Sequence, residues 1–169
     1  VPKNIKNKKS KSCDVAFLID STESNDNKFQ SIKDKCNEII LNFPNCFKTF
    51  LIKYACICYR DPVDCKTDIH EVFNFNKNGK EIFEFLESIE PSGGGDGPED
   101  YVGALSNAFE KLSWNDKYKI IVWIADGPAH GKRFCGLQNH QEEESKLIPL
   151  IKKLARDEFY FIGIYYNER

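Results

Sequence analysis

Two carboxylates stand where apolar runs of the sequence stop. The run VAFLID, residues 15–20, ends on Asp20, and IIVWIAD, residues 120–126, ends on Asp126. If both runs are parallel strands of one sheet, both acids lie at the same edge and repel each other unless a proton or a cation lies between them. Thr22 and Ser24 follow Asp20 at alternate positions. Carboxylates together with hydroxyls are a suitable ligand set for a hard divalent cation such as Mg²⁺.

A third acidic segment lies in the turn-rich stretch PSGGGDGPED, residues 91–100. Its glycines allow backbone conformations that other residues rarely adopt, and Pro98 is predicted to begin a helix with Glu99 in its first turn. Glu99 would then bring a third carboxylate to the same edge. Helix capping alone would explain the polar residues outside the strands, but it does not explain Asp20 and Asp126.

Strand and helix patterns alternate along the chain. Three of the apolar runs are nearly continuous, which is typical of parallel strands covered by helices on both faces. The segment 67–75 instead alternates, with Ile69, Glu71, Phe73 and Phe75 facing one way, and is predicted to be an antiparallel edge strand. The predicted strands are 15–20, 50–59, 67–75, 120–126 and 159–166, and the predicted helices are 28–43, 79–90, 99–112 and 140–155, with Pro149 beginning or kinking a helical segment. This order predicts an α/β fold: a three-layer α/β/α Rossmann-like sandwich with a mostly parallel central sheet and an antiparallel edge strand.

The segment DSTES, residues 20–24, resembles the Asp-x-Ser/Thr-x-Ser motif of the von Willebrand factor A (vWA) domain family. In that family a metal-ion-dependent adhesion site (MIDAS) joins three loops around one cation. The order of the elements and the strand ending IADG are similar to the family as well. The resemblance implies Mg²⁺ as the cofactor, with Mn²⁺ or Ca²⁺ as alternatives, and implies these metal ligands, some acting through water: Asp20, Thr22, Ser24, Glu99 and Asp126.

The second loop departs from the commonest family form, in which a threonine follows the glycines. Here it reads DGPEDYVGAL, which is similar to the Asp-x-Pro-Glu segment in the vWA domains of integrin beta subunits, where the glutamate is a metal ligand. The same resemblance implies a second, neighbouring cation that shares Glu99 and is held by Asp61, Asp96 and the carbonyl of Pro98. Gly94 departs from the asparagine that this second site would have.

The combination of GGGDGPED, ICYRD and IADGPAHG is similar to vWA domains attached to atypical alpha-kinases. This resemblance implies a non-catalytic module of a larger protein such as a kinase. Residues 1–12, with their many lysines, are interpreted as a basic leader, and residues 13–169 as a vWA domain that lacks the last helix of the family. His130 and Arg133 follow Asp126 at the predicted binding edge and are candidate partner contacts, with a solvated loop as the alternative.

The totals exclude some classes of function. With 169 residues, 41% hydrophobic residues and a net charge of -2, the composition is that of one globular domain without a basic surface for nucleic acid. No apolar stretch approaches the roughly 20 residues of a membrane span. Seven cysteines are an odd number without a compact disulfide spacing, which favours a reducing compartment, so a cytoplasmic protein is expected.

The sequence thus predicts a metal-dependent protein-binding module, in which a carboxylate of a protein partner completes the coordination of the cation. Two alternatives stay open. The first is a Mg²⁺-dependent phosphotransferase of the haloacid dehalogenase type, with Asp20 as the nucleophile. The second is an interaction domain of the same fold that binds no metal.

Overall fold

The computed structural model describes residues 11–61, 70–95, 97–136 and 141–166. Its sheet is built from β1 (Lys11–Asp20), β2 (Phe50–Tyr59), β3 (His70–Asn76), β4 (Tyr118–Ala125) and β5 (Phe159–Tyr165), in the order β3-β2-β1-β4-β5. The pairs β1–β2, β1–β4 and β4–β5 are parallel, and β2–β3 is antiparallel. The predicted fold class, with its antiparallel edge strand, is therefore confirmed.

Strand β1 is the centre of the sheet because its side chains are apolar on both faces. Val15, Phe17 and Ile19 point into one core cluster, whereas Ala16 and Leu18 point into the other, and all five are fully buried. Burial of one such large side chain contributes roughly 1.5–3 kcal/mol. Asp20 follows directly in this strand, so the core packing of β1 fixes the position of its carboxylate.

Helices cover both faces of the sheet, as the continuous apolar runs predict. The helices are α1 (Asp26–Cys46), α2 (Gly79–Ser88), α3 (Tyr101–Glu110), α4 (Lys132–Cys135) and α5 (Gln141–Arg156), and a single 3-10 turn, Glu23–Asn25, precedes α1. Phe29, Ile32 and Cys36 of α1 pack on the same face as α2. The opposite face is covered by α3 and α5 through residues such as Leu105 and Leu147. Helix α5 continues through Pro149 and does not begin there.

The edge strand β3 differs from the prediction in the direction of its side chains. Phe73 packs in the α1–α2 core, whereas Phe75 packs on the α3 side against Trp114. The register explains this, because Cys56 pairs with Phe73 whereas Tyr54 pairs with Asn76, so β3 carries one extra residue there. Such a bulge turns the following side chains to the other face. Residues 67–69, which the prediction included, lie outside the described residues.

Two element starts also differ from the prediction. Strand β1 begins at Lys11, so the last two residues assigned to the basic leader belong to the sheet. Helix α3 begins at Tyr101, not at Pro98, and Asp100 is its N-cap, with a side-chain oxygen that accepts from the Gly103 N–H. The reason lies in Glu99, whose backbone forms a parallel bridge with Ala129 and is therefore extended, not helical.

A buried ion-pair network fixes the opposite end of the sheet. The fully buried carboxylate of Asp14 accepts hydrogen bonds from the backbone N–H groups of Asn115 and Asp116, at 2.8 and 2.9 Å. Lys53 of β2 lies 2.9 Å from Asp14 Oδ1 and 3.1 Å from Asp116 Oδ2. Because three segments share these contacts, the starts of β1, β2 and β4 are held in register.

Strand β5 is the least covered part of the sheet. Its apolar side chains Tyr160, Phe161 and Tyr165 are exposed by 59%, 53% and 61%. The six cysteines within the described residues are all free thiols. None of the described helices combines the length and the apolar character that crossing a bilayer requires.

Candidate metal centre

Three carboxylates from three distant segments meet at the carboxyl end of the sheet. Asp20 ends β1, Asp126 follows β4 directly, and Glu99 lies just before α3. One carboxylate oxygen from each of them lies within 4.8 Å of the other two. Asp20 and Glu99 are 0% and 4% exposed, while the side chain of Asp126 is 14% exposed and forms the outer side of the cluster. The sequence predicts this convergence, and the structure brings the three side chains together.

The two hydroxyls that follow Asp20 connect it to Asp126. Asp20 Oδ1 accepts hydrogen bonds from the N–H and the Oγ1 of Thr22, at 2.9 and 2.7 Å. Thr22 Oγ1 lies 3.0 Å from Ser24 Oγ, which in turn lies 3.2 Å from Asp126 Oδ2. Thr22 is buried and Ser24 is exposed. Four of the five predicted ligands, all except Glu99, are therefore connected by hydrogen bonds, and this set is open to solvent at Ser24 and Asp126.

Asp20 is a buried carboxyl with one oxygen that lacks a hydrogen bond. Its Oδ2 is buried and has no hydrogen-bond partner among the described residues. Burial raises the pKa of this carboxyl from 3.8 to about 6, with a smaller increase from Asp126, although the hydrogen bonds from Thr22 act in the opposite direction. A buried carboxylate with an unsatisfied oxygen is costly, and a proton or a bound cation relieves that cost.

The glycine-rich loop packs directly on the segment that contains Thr22. Ser92 N–H donates to the carbonyl of Ser21 at 3.0 Å, and Glu23 N–H donates to the carbonyl of Gly93 at 2.9 Å. Gly94 has a φ of +89°, and a Cβ at this position would lie 2.9 Å from Thr22 Cβ. A side chain at position 94 would therefore displace a predicted ligand, which explains why glycine stands there.

A second pair of loops is joined around Glu99. Its backbone N–H donates to the carbonyl of Pro128 at 2.8 Å, and the Tyr101 hydroxyl donates to the carbonyl of Gly127 at 3.0 Å. A Cβ on Gly127 would lie 2.8 Å from Glu99 Cγ, so the close approach of these loops requires a glycine. The contacts hold the Glu99 carboxylate beside the loop that begins with Asp126.

Aromatic side chains support the cluster from below. Tyr59 is fully buried, its hydroxyl accepts a hydrogen bond from Trp123 Nε1 at 2.9 Å, and its carbonyl accepts one from Ser21 N–H at 2.9 Å. The rings of Tyr101 and Trp123 lie 4.5 Å apart between centroids. These contacts pack the start of α3 against the carboxyl ends of β1, β2 and β4.

The predicted second cation site is only partly within the described residues. Asp96 lies outside them. Asp61 and Pro98 are buried, and Asp61 Oδ2 lies 2.9 Å from His130 Nε2, which gives it an interaction with imidazole. Asp61 is not in the group formed by Asp20, Glu99 and Asp126. The second site stays a prediction.

The two candidate partner contacts have different environments. His130 is 1% exposed, and its Nε2 faces the buried Asp61, so in this conformation it is an internal residue that a partner cannot reach. Arg133 is exposed in α4, and its backbone N–H donates to Glu144 Oε2 at 3.0 Å. Of the two, only Arg133 has a side chain on the surface of the described structure.

Sequence reasoning missed two residues at the site. The Lys28 ammonium lies 4.0 Å from Asp126 Oδ2, and the Asn25 side-chain amide lies 3.4 Å from the Asp20 carbonyl, to which it donates. Lys28 stands four residues after Ser24, which is about one helical turn. That spacing at the start of a predicted helix was the available signal for it.

The donor set fits a hard divalent cation. All five predicted ligands offer oxygen, in carboxylates and hydroxyls, and these are the donors that Mg²⁺, Mn²⁺ and Ca²⁺ prefer over nitrogen and sulfur. One oxygen of Asp20 lies within 4.8 Å of an oxygen of Glu99 and of an oxygen of Asp126, and Asp20 Oδ2 has no hydrogen-bond partner among the described residues. The residues present are therefore suited to such an ion.

Comparison with known proteins agrees with this arrangement. A family model described as von Willebrand factor A domain matches residues 14–153. The alpha-protein kinase vwkA of Dictyostelium discoideum is 29% identical over 126 residues, which are 72% of this chain and 19% of that protein. A putative ariadne-like RING finger protein, R811, of Acanthamoeba polyphaga mimivirus is 28% identical over 121 residues, which are 70% of this chain and 11% of that protein. The chain thus spans less than a fifth of the length of each of these relatives.

Among solved structures, proximal thread matrix protein 1 from the mussel byssus has the same fold. It superposes with a TM-score of 0.65 at 17% identity, over 92% of this chain and 36% of the mussel chain. The kinase relative confirms the resemblance to alpha-kinase-associated vWA domains that the sequence indicates.

Proposed function

The chain belongs to the von Willebrand factor A domain family, and we propose that it is a divalent-metal-dependent protein-binding module. Domains of this family are generally non-catalytic adhesion or interaction modules. One observation carries the metal dependence: three carboxylates from separate loops lie within 4.8 Å of one another, and the buried Asp20 among them has an oxygen without a hydrogen-bond partner in the described residues.

The proposed ligands have distinct tasks. Asp20, Thr22 and Glu99 are buried and form the inner side, where the loop contacts hold them in place. Ser24 and Asp126 form the outer side, which solvent reaches. A bound Mg²⁺ would supply an open coordination position for an acidic side chain of a protein partner. The partner would approach over Ser24 and Asp126, and the exposed Arg133 stays a candidate partner contact.

We extend the proposal to the architecture of the parent protein. The Dictyostelium relative is named as an alpha-protein kinase, and this chain corresponds to 19% of its length. The chain would accordingly be the non-catalytic interaction module of a larger protein, and it would bring that protein to its partner.

The phosphotransferase alternative has less support. A nucleophilic Asp20 must reach a phosphorus atom, but this residue is 0% exposed and its Oδ1 accepts two hydrogen bonds from Thr22. The metal-free alternative keeps the fold and differs only in whether a cation binds.

Calorimetric titration with Mn²⁺ and Mg²⁺ tests the proposal. We expect wild-type protein to bind one cation at the cluster and to lose it to EDTA. Asp126→Asn should weaken binding by more than about 100-fold, since even the loss of an outer-shell partner of a metal ligand costs 10- to 100-fold. Its melting temperature in EDTA should change little, because the substitution removes both the repulsion from the other two carboxylates and the attraction to Lys28.

Asp34→Asn is the matched control. It makes the same change of charge on the exposed surface of α1, and we expect it to bind Mn²⁺ like the wild type. Wild-type protein that binds no divalent cation would support the metal-free alternative. Equal binding by the wild type and Asp126→Asn would place the ion elsewhere.

A further inference from the structure

Lys28 lies at the outer side of the carboxylate cluster. It stands in the first turn of α1, and its Nζ is 4.0 Å from Asp126 Oδ2. Asp126 is the most exposed of the three acids, with a side chain that is 14% exposed. The ammonium therefore approaches the cluster from the side that faces solvent.

Lys28 is one of the lysines whose side chain is partly buried. Its side chain is 17% exposed, whereas those of Lys35 and Lys80 are 61% and 79% exposed. A cation in the first turn of a helix is also opposed by the helix dipole, which favours negative charge there. Lys28 is thus held in a partly desolvated position against the dipole, and the nearby Asp126 carboxylate is the charge that offsets both costs.

The charges of the site give Lys28 a defined role. With Asp20, Glu99 and Asp126 ionised, the three carboxylates carry three negative charges, and Lys28 reduces this to two. A divalent cation then makes the set neutral. Without Lys28 the loaded set would keep one negative charge and would repel an acidic partner.

We infer that Lys28 is a built-in counter-ion of the metal site, which holds the outer carboxylate in the ion-free protein and lowers the affinity of the site for divalent cations. The inference rests on the proposed function and names the residue that balances its charges. With Lys28 present, the site binds the cation more weakly. The loaded site is then neutral, so it does not repel the carboxylate of a partner.

Mn²⁺ titration of Lys28→Met tests the inference. Removing the positive charge should tighten Mn²⁺ binding by about three- to tenfold at low ionic strength, and the gain should shrink as salt is added. In EDTA the same variant should melt at a lower temperature than the wild type, because the three carboxylates then lack their counter-ion. Lys28→Arg keeps the charge and should bind Mn²⁺ like the wild type.

Lys35→Met is the matched control on the same helix. Lys35 is exposed and pairs with Glu38, so its loss should leave Mn²⁺ affinity unchanged. Unchanged or weaker Mn²⁺ binding by Lys28→Met, in a wild type that binds the ion, would overturn the role of Lys28 and leave the proposed function intact. A wild type that binds no Mn²⁺ would overturn the proposed function. It would also overturn the role of Lys28, because there would be no metal site for it to act on.

Discussion

Asp20 is a carboxylate whose position is unfavourable in the absence of a proton or a cation. It is fully buried at the end of the central strand, and two further carboxylates lie close to it. Two unit charges at such separations repel each other by on the order of 3 kcal/mol at an effective dielectric constant near 20. The packing of β1 and the hydrogen bonds from Thr22 hold the carboxylate there nonetheless.

The raised pKa of Asp20 predicts how the stability of the ion-free protein depends on pH. Its pKa is about 6 in the folded chain, whereas the ordinary aspartate pKa, which applies to the unfolded chain, is 3.8. The stabilisation from keeping this proton is therefore full below about pH 3.8 and is lost as the pH rises through 6. In EDTA the free energy of unfolding should fall by up to about 3 kcal/mol across this window. Urea unfolding at several pH values measures it.

Asp20→Asn isolates the effect of this one group. The variant cannot ionise at position 20. Its free energy of unfolding in EDTA should therefore fall less with rising pH than that of the wild type. In saturating Mg²⁺ the slope of the wild type should reverse, because the cation binds the ionised form. Parallel pH profiles of the two proteins in EDTA would contradict the account of Asp20.

The glycine loop and the strand ends act as units that position these residues. Ser92 and Gly93 bind the segment after β1 through two backbone hydrogen bonds. The loop after β4 accepts one hydrogen bond from the Glu99 backbone N–H and one from the Tyr101 hydroxyl. Backbone contacts therefore link the loops that carry Thr22, Glu99 and Asp126, although these loops are far apart in sequence.

Gly94→Ala should damage the site through this packing. The residue has a φ of +89°, and the added Cβ would meet Thr22 Cβ at 2.9 Å. We expect a loss of about 1–3 kcal/mol in unfolding free energy, as for other non-glycine residues in strained backbone regions, and weaker Mn²⁺ binding. Thermal unfolding and Mn²⁺ titration measure the two effects.

Gly97→Ala is the control from the same loop. A Cβ at position 97 would meet nothing within 4 Å. Gly97 is also absent from the described residues with positive φ, so alanine should change stability by less than about 0.5 kcal/mol. If Gly94→Ala bound Mn²⁺ as well as Gly97→Ala does, the close contact with Thr22 would not be needed for the site.

The sequence predicts the elements of this fold well where hydrophobicity decides them. The apolar runs indicate β1, β2, β4 and β5, and the strand-end acids indicate the edge at which the three carboxylates meet. The side-chain directions of β3 depend on a bulge opposite β2, which leaves no mark in the hydrophobic pattern. The start of α3 was missed because Glu99 pairs with Ala129, a contact between distant segments.

The same limit applies to the site residues. Asp20, Thr22, Ser24, Glu99 and Asp126 come together as the motifs predict, because each follows or precedes an element whose position is set by the sheet. The burial of His130 against Asp61 and the approach of Lys28 to Asp126 depend on side-chain packing between loops. Neither follows from spacing alone.

At the scale of the whole molecule, the two ends of the sheet differ in the balance of their charges. At the amino ends of β1 and β4, the Asp14 and Asp116 carboxylates share the Lys53 ammonium, at 2.9 and 3.1 Å. At the carboxyl ends, three carboxylates face one partly exposed lysine. The ion pairs at the amino end hold the strands in register, and the larger excess of negative charge at the carboxyl end is one that a divalent cation would balance.

The position of a bound ion tests the central claim most directly. Crystals of the protein soaked in Mn²⁺ give an anomalous difference map that locates the metal without reference to any ligand assignment. The account predicts one strong peak about 2.1–2.2 Å from oxygens of Asp20, Glu99 or Asp126, with Thr22 and Ser24 bound directly or through water. Only water between these loops at saturating Mn²⁺, or a peak at another place on the molecule, would contradict it.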